Sequence, residues 1–249
     1  MSGTGARLPL TEALALLAAE NTGSFARAEP LFLKAMWDFD AHVVSGIADQ
    51  GDRQNGKGDF FNDFLSALLR RCSGKEVDTR PNVAGLSFRN HKLDIAYPLA
   101  GQVALTVETK ATGTPKHARN TLQRNPAGRP GSADLEKRIK EAAFKNIDIK
   151  GEIARVEARG GGATNDLTNW LRSTPPRCYL FFVCRVVDDN DLRRTQDLAQ
   201  TARVWFDGCG LYCYGPNANG TAYSPRAVHP TLDLDRVLSE VCTALRLLP

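Results

Sequence analysis

Between Cys178 and Val187 the chain reads Cys-Tyr-Leu-Phe-Phe-Val-Cys-Arg-Val-Val, an almost unbroken apolar run. A strand with one wet face alternates apolar and polar residues. A run without alternation is predicted to be a strand buried on both sides, so the rest of the chain must supply its cover. The 249 residues are enough for one large or two small domains with a real core. No stretch approaches the roughly 20 apolar residues that cross a bilayer. The first residues, MSGTGARLPL, lack the apolar centre of a signal peptide, and a cytoplasmic protein is expected. With no secretion signal, the six cysteines are predicted to be buried thiols rather than a disulfide framework.

The cover is legible as helices. Leu10 to Ala19 consists almost wholly of helix formers, and Leu31, Phe32, Ala35, Met36 and Phe39 follow Pro30 at helical spacing, with the proline placed in a first turn. Gly46 to Gly58, polar and glycine-containing, is predicted as a loop. From Asp59 the residues Phe60, Phe61, Phe64, Leu65, Leu68 and Leu69 mark a strongly apolar helix face that ends in Arg70 and Arg71. Short segments follow, at Glu76 to Thr79, Leu86 to Phe88, Leu93 to Tyr97 and Val103 to Val107, and these read as consecutive antiparallel strands. Ser132 or Asp134 caps a helix carrying Leu135, Ile139, Ala142 and Ala143, which runs on towards Val156 unless Gly151 interrupts it. After the buried strand come a helix over 192–206, a short strand over 211–214 and a last helix from Asp233 to Leu248. The class is α/β with a mixed sheet.

The candidate chemistry lies on two neighbouring strands. In Val107-Glu108-Thr109-Lys110 the acid and the lysine share one face, because side chains alternate with a period of two. A neighbouring strand carrying Asp94 sets a second carboxylate beside Glu108, and clustered carboxylates make the hard-oxygen site that Mg²⁺ prefers. A lysine at that place supplies positive charge to a phosphate or orients a water, which suits metal-assisted phosphodiester hydrolysis. The plainer alternative is a solvated ion pair at a strand end.

Asp94, a strand turn and Glu108-Thr109-Lys110 resemble the signature of the PD-(D/E)XK nucleases, most closely that of type II restriction endonucleases. Leu93 stands where the family often has proline. The resemblance covers about residues 58 to 187 and implies an αβββαβ core with a mixed central sheet, preceded by a helical N-terminal extension. The division expected is 1–57 for that extension and 58–249 for the nuclease domain with its C-terminal helix. The resemblance further implies that Asp94, Glu108 and the carbonyl of Thr109 bind Mg²⁺ and that Lys110 positions or activates the attacking water. Relatives often carry a Glu on the preceding helix. Here Asn62 takes that place, with Asp63 or Asp59 as substitutes.

Lys110, Lys116, Arg119, Arg124 and Arg129 fall in a stretch without a single acid, which leaves the Glu-x-Lys strand directly. Whole-chain charge is only +4, so this local concentration is what points to nucleic acid. Lys116, His117, Arg119, Arg124 and Arg129 are candidate phosphate contacts, and Asn120, with Gln123 and Asn125, suits base edges. Lys137, Arg138, Lys140 and Lys145 extend the patch, interleaved with Glu136 and Glu141 as on an ordinary solvated face. Other patterns carry less. Gly51 to Lys57 lacks the Ser or Thr of a phosphate-binding loop, the cysteine spacings match no zinc finger, and the four histidines are scattered.

The expected function is a Mg²⁺-dependent, site-specific endonuclease of double-stranded DNA acting as a homodimer, because a palindromic site mirrors a two-fold axis. The alternatives are a repair or structure-specific nuclease of the same fold, or an inactive DNA-binding module.

Overall fold

The computed structural model describes residues 5–98, 103–116, 127–158 and 176–249. Three helices open the chain: α1 (Leu8–Glu20), α2 (Phe25–Ser45) and α3 (Gln50–Ser73). Five strands follow, β1 (Asp78–Thr79), β2 (Asn82–Val83), β3 (His91–Lys92), β4 (Ile95–Tyr97) and β5 (Leu105–Thr112), then α4 (Leu135–Ala158). The remainder is β6 (Arg177–Arg185), α5 (Asp189–Ala202), β7 (Gly208–Pro216), β8 (Tyr223–Arg226) and α6 (Leu234–Leu247).

Six strands form one mixed sheet in the order β1-β4-β5-β6-β7-β8, and β2 and β3 pair separately. Strands β1, β4 and β5 are antiparallel neighbours, β5, β6 and β7 run parallel, and β8 returns antiparallel. The apolar run at β6 lies inside the sheet, as its composition requires. Tyr179, Phe181 and Val183 face a core made with α1, α2, α3 and α6. Cys178, Leu180, Phe182 and Cys184 face the opposite core under α4 and α5.

Several expectations are corrected. Leu86 to Phe88 is not a strand: it is a loop tied to α4 by the Asp148 carboxylate, which accepts from Ser87 N (2.9 Å) and Phe88 N (3.2 Å). The loop approaches so closely that a Cβ on Gly85 would meet Asp148 Oδ2 at 2.1 Å. Pro30 lies inside α2, whose cap is Ser24. Helix α4 passes through Gly151 without a break. Strand β8 went unpredicted.

The stretch predicted as a loop before Asp59 is the first half of α3. Asp49 caps that helix by accepting from Asp52 N at 2.8 Å. Gly56 allows Phe39 of α2 to pack against the helix, since a Cβ there would meet the ring at 2.8 Å. Lys57 is buried on Asp40, Nζ to Oδ2 2.6 Å. Tertiary contacts therefore override a sequence of low helix propensity. One consequence is that the proposed boundary after residue 57 falls within a continuous helix. Another correction concerns Cys72 and Cys242, which form a disulfide between α3 and α6, whereas Cys178, Cys184, Cys209 and Cys213 are buried free thiols. No helix among the described residues is long and apolar enough to cross a membrane.

Candidate functional site

Antiparallel pairing sets Ile95 opposite Val107, and continuing that register past the start of β4 brings Asp94 level with Glu108. Residues directly opposite in such a ladder project to the same face. Here it is the face under α4, because Leu105 and Val107 point into the other core. Asp94 is fixed from below by the backbone, its Oδ2 accepting from Thr109 N at 2.7 Å.

Lys110 Nζ donates to Asp94 Oδ2 (3.0 Å), Glu108 Oε2 (3.0 Å) and the Thr109 carbonyl (2.9 Å). Burial by itself lowers the pKa of the Lys110 ammonium, but the charges of Glu108 and Asp94 outweigh burial and raise it above the ordinary lysine value. The lysine is therefore a cation enclosed by three hard oxygens. Those are the three donors that the sequence signature assigns to Mg²⁺. Their convergence on one positive centre is the property a divalent ion needs, so the donor set fits the ion. Among the described residues no group of three or more His, Cys, Asp or Glu side chains is disposed to hold a metal, and a site here has two carboxylates and a backbone carbonyl.

A second lysine completes the centre. Lys145 of α4 reaches across the sheet face and donates to Glu108 Oε2 (3.1 Å), Glu108 Oε1 (3.3 Å) and the Lys92 carbonyl (2.9 Å). Glu108, with its side chain only 4% exposed, is thus shared by two ammonium groups. Sequence reasoning assigned Lys145 to a surface patch. The available signal was its position on the apolar stripe of Ala142, Ile149 and Ile153, where a solvated lysine is out of place.

The helix residues expected near the metal behave differently. Asn62 is buried on α3, its Oδ1 has no donor, and no hydrogen bond among the described residues joins its side chain to Asp94, Glu108 or Lys110. Asp59 and Asp63 are engaged by arginines: Arg80 lies 2.9 Å from Asp63 and 3.7 Å from Asp59, and Arg7 lies 3.0 Å from Asp59. Arg80 also belongs to the site's surroundings, as its N–H donates to the Asp94 carbonyl at 2.9 Å.

Of the basic stretch, Lys116 is exposed and Arg129 pairs with Asp134 beside the Thr114/Arg129 bridge. His117, Arg119, Asn120 and Arg124 lie outside the described residues, as do Gln123 and Asn125. No family model, no curated protein and no solved structure matches the chain.

Proposed function

We propose that the chain is a Mg²⁺-dependent endonuclease of double-stranded DNA, of the type II restriction kind, acting in the cytoplasm as a homodimer. The observation that carries this reading is the convergence of Asp94 Oδ2, Glu108 Oε2 and the Thr109 carbonyl on one cationic centre. The order α3, three antiparallel strands, α4 and a parallel strand supports an αβββαβ core of the PD-(D/E)XK type. When bound by Asp94, Glu108 and the Thr109 carbonyl, Mg²⁺ supplies Lewis acidity and a more acidic water.

The chain's own residues do the remainder. Asp94 is held in one orientation by the Thr109 N–H, and Glu108 by Lys145, so neither carboxylate has to be ordered when substrate arrives. Lys110, freed from its two acids, brings a full positive charge to the scissile phosphate and its attacking water. Lys116, which is exposed, and Arg129, by exchanging Asp134 for phosphate, contact the phosphodiester backbone.

The test is incubation of the purified chain with plasmid and phage DNA in Mg²⁺ or in EDTA. Discrete fragments are expected with Mg²⁺ and none with EDTA, and Asp94→Ala should lower cleavage at least about a hundredfold while DNA binding in Ca²⁺ persists. Cleavage that survives EDTA, or an Asp94→Ala variant cutting at the wild-type rate, overturns the assignment.

A further inference from the structure

At the carboxyl end of β5 the sheet opens into a groove of ≈ 560 Å³ between the first half of α3 and the start of α4. Ala111 and Thr112 line it, one and two residues past Lys110, so it begins about 3–7 Å along the strand from the catalytic lysine. Ligands of open α/β sheets enter at this end of the strands. Its charged lining is Arg53, Lys57, Arg129 and Arg138 against Asp134 alone. Lys57 is neutralised by Asp40 behind it and Arg129 by Asp134, and Arg138, half-exposed on the rim, shares its charge with Glu141 at 3.4 Å, an exposed pair that a phosphate can displace.

Two neutral groups complete the lining. Gln54 and Asn55 are exposed, adjacent on α3, and neither makes a side-chain hydrogen bond among the described residues. A phosphate site alone has no use for them. Carboxamides donate and accept together, and Asn or Gln pairs bidentately with the adenine edge in the major groove. An exposed arginine beside two exposed carboxamides brings together the side-chain types that contact phosphates and base edges.

We infer that this groove receives duplex DNA, with Gln54 and Asn55 reading base edges and Arg138 contacting the backbone. The inference rests on the nuclease reading for its partner and adds where sequence is recognised. Sequence reasoning set this segment aside as a loop and a failed phosphate-binding motif. Folding it as helix is what presents the two amides.

The test selects tight binders from randomised DNA duplexes in Ca²⁺, using wild type, Gln54→Ala, Asn55→Ala and Arg138→Ala, followed by affinity across a salt series. Wild type should enrich one motif. Gln54→Ala or Asn55→Ala should relax preference at one or two base pairs by about tenfold or more with the rest of the motif kept. Arg138→Ala should weaken every duplex alike and lower the salt slope by about 1. If wild type cuts DNA while both amide variants return its motif unchanged, the groove assignment is overturned and the nuclease reading stands. If wild type neither binds nor cuts duplex, both are overturned.

Discussion

Glu108 has two lysines on one buried carboxylate, and the roles of those lysines separate by position. Lys110 follows it on the same strand and encloses the oxygens that a cation would take. Lys145 comes from α4 and is also anchored on the Lys92 carbonyl, so its hold on Glu108 does not depend on Lys110. On the nuclease reading it is a positioning residue. Removing a group that orients a metal ligand commonly costs about 10–100-fold in metal affinity or activity. Lys145→Met is therefore expected to slow cleavage by about that factor and to raise the Mn²⁺ concentration at half-saturation of binding, with Lys145→Arg restoring part of both. A Lys145→Met variant with unchanged Mn²⁺ binding would leave Lys145 a surface lysine. Asp148 offers a second residue-level check. Burial raises its pKa, but hydrogen bonding with His91, Ser87 and the backbone of Phe88 outweighs burial and holds the carboxyl below its ordinary value of 3.8. A folded-state value below the unfolded one stabilises fully above about pH 4 and is lost as pH falls through the folded value. Asp148→Asn should lower stability at neutral pH and flatten the acid loss between about pH 4 and pH 2, read from urea midpoints. Equal acid slopes in both proteins would contradict this.

At the level of elements, legibility followed how local the cause was. The strand Arg177–Arg185 could be read because burial on both faces leaves its mark in consecutive residues. The acid–lysine face of β5 could be read because alternation is a property of the strand alone. The first half of α3 could not, since its helix depends on Phe39 and Asp40 of another helix. For Lys145 the stripe shows burial, but its partner is not legible, lying 37 residues away on another element. Helix α5 and strand β7 were found in place with shifted ends, as Asp189–Ala202 and Gly208–Pro216. The Cys72–Cys242 link was illegible because its partners are 170 residues apart, and that separation gives it weight. A loop of this length closed by a disulfide restricts the unfolded chain by about 4–5 kcal/mol in the chain-entropy picture. Reduction, or Cys72→Ser with Cys242→Ser, should lower the unfolding free energy towards that amount in urea titration. An unchanged midpoint on reduction would show that the bridge does not constrain the unfolded chain.

Over the whole molecule, one continuous core runs from Ala6 through α1, α2 and α3 to Leu248, with the inner face of β5, β6 and β7 as its floor. The N-terminal helices supply much of the largest of three apolar clusters, the other two lying on the α4 side of the sheet. Far-UV circular dichroism and the fluorescence of Trp37, which packs on Tyr223 of β8 at 5.0 Å, read in a Trp170→Phe, Trp205→Phe variant, should therefore report a single coincident unfolding transition. An early step in one signal alone would mark the N-terminal helices as a separate unit.

The two outer strands of the sheet carry a consequence for assembly. At one margin β1 is only Asp78–Thr79, and at the other β8 is the four residues Tyr-Ser-Pro-Arg, with Pro225 in the register opposite Tyr214. Proline has no N–H to offer a further strand, and two residues are too few to template one. Among the described residues neither margin of this sheet offers the long unpaired edge that chain-to-chain sheet growth needs, a built-in guard against polymerising edge to edge.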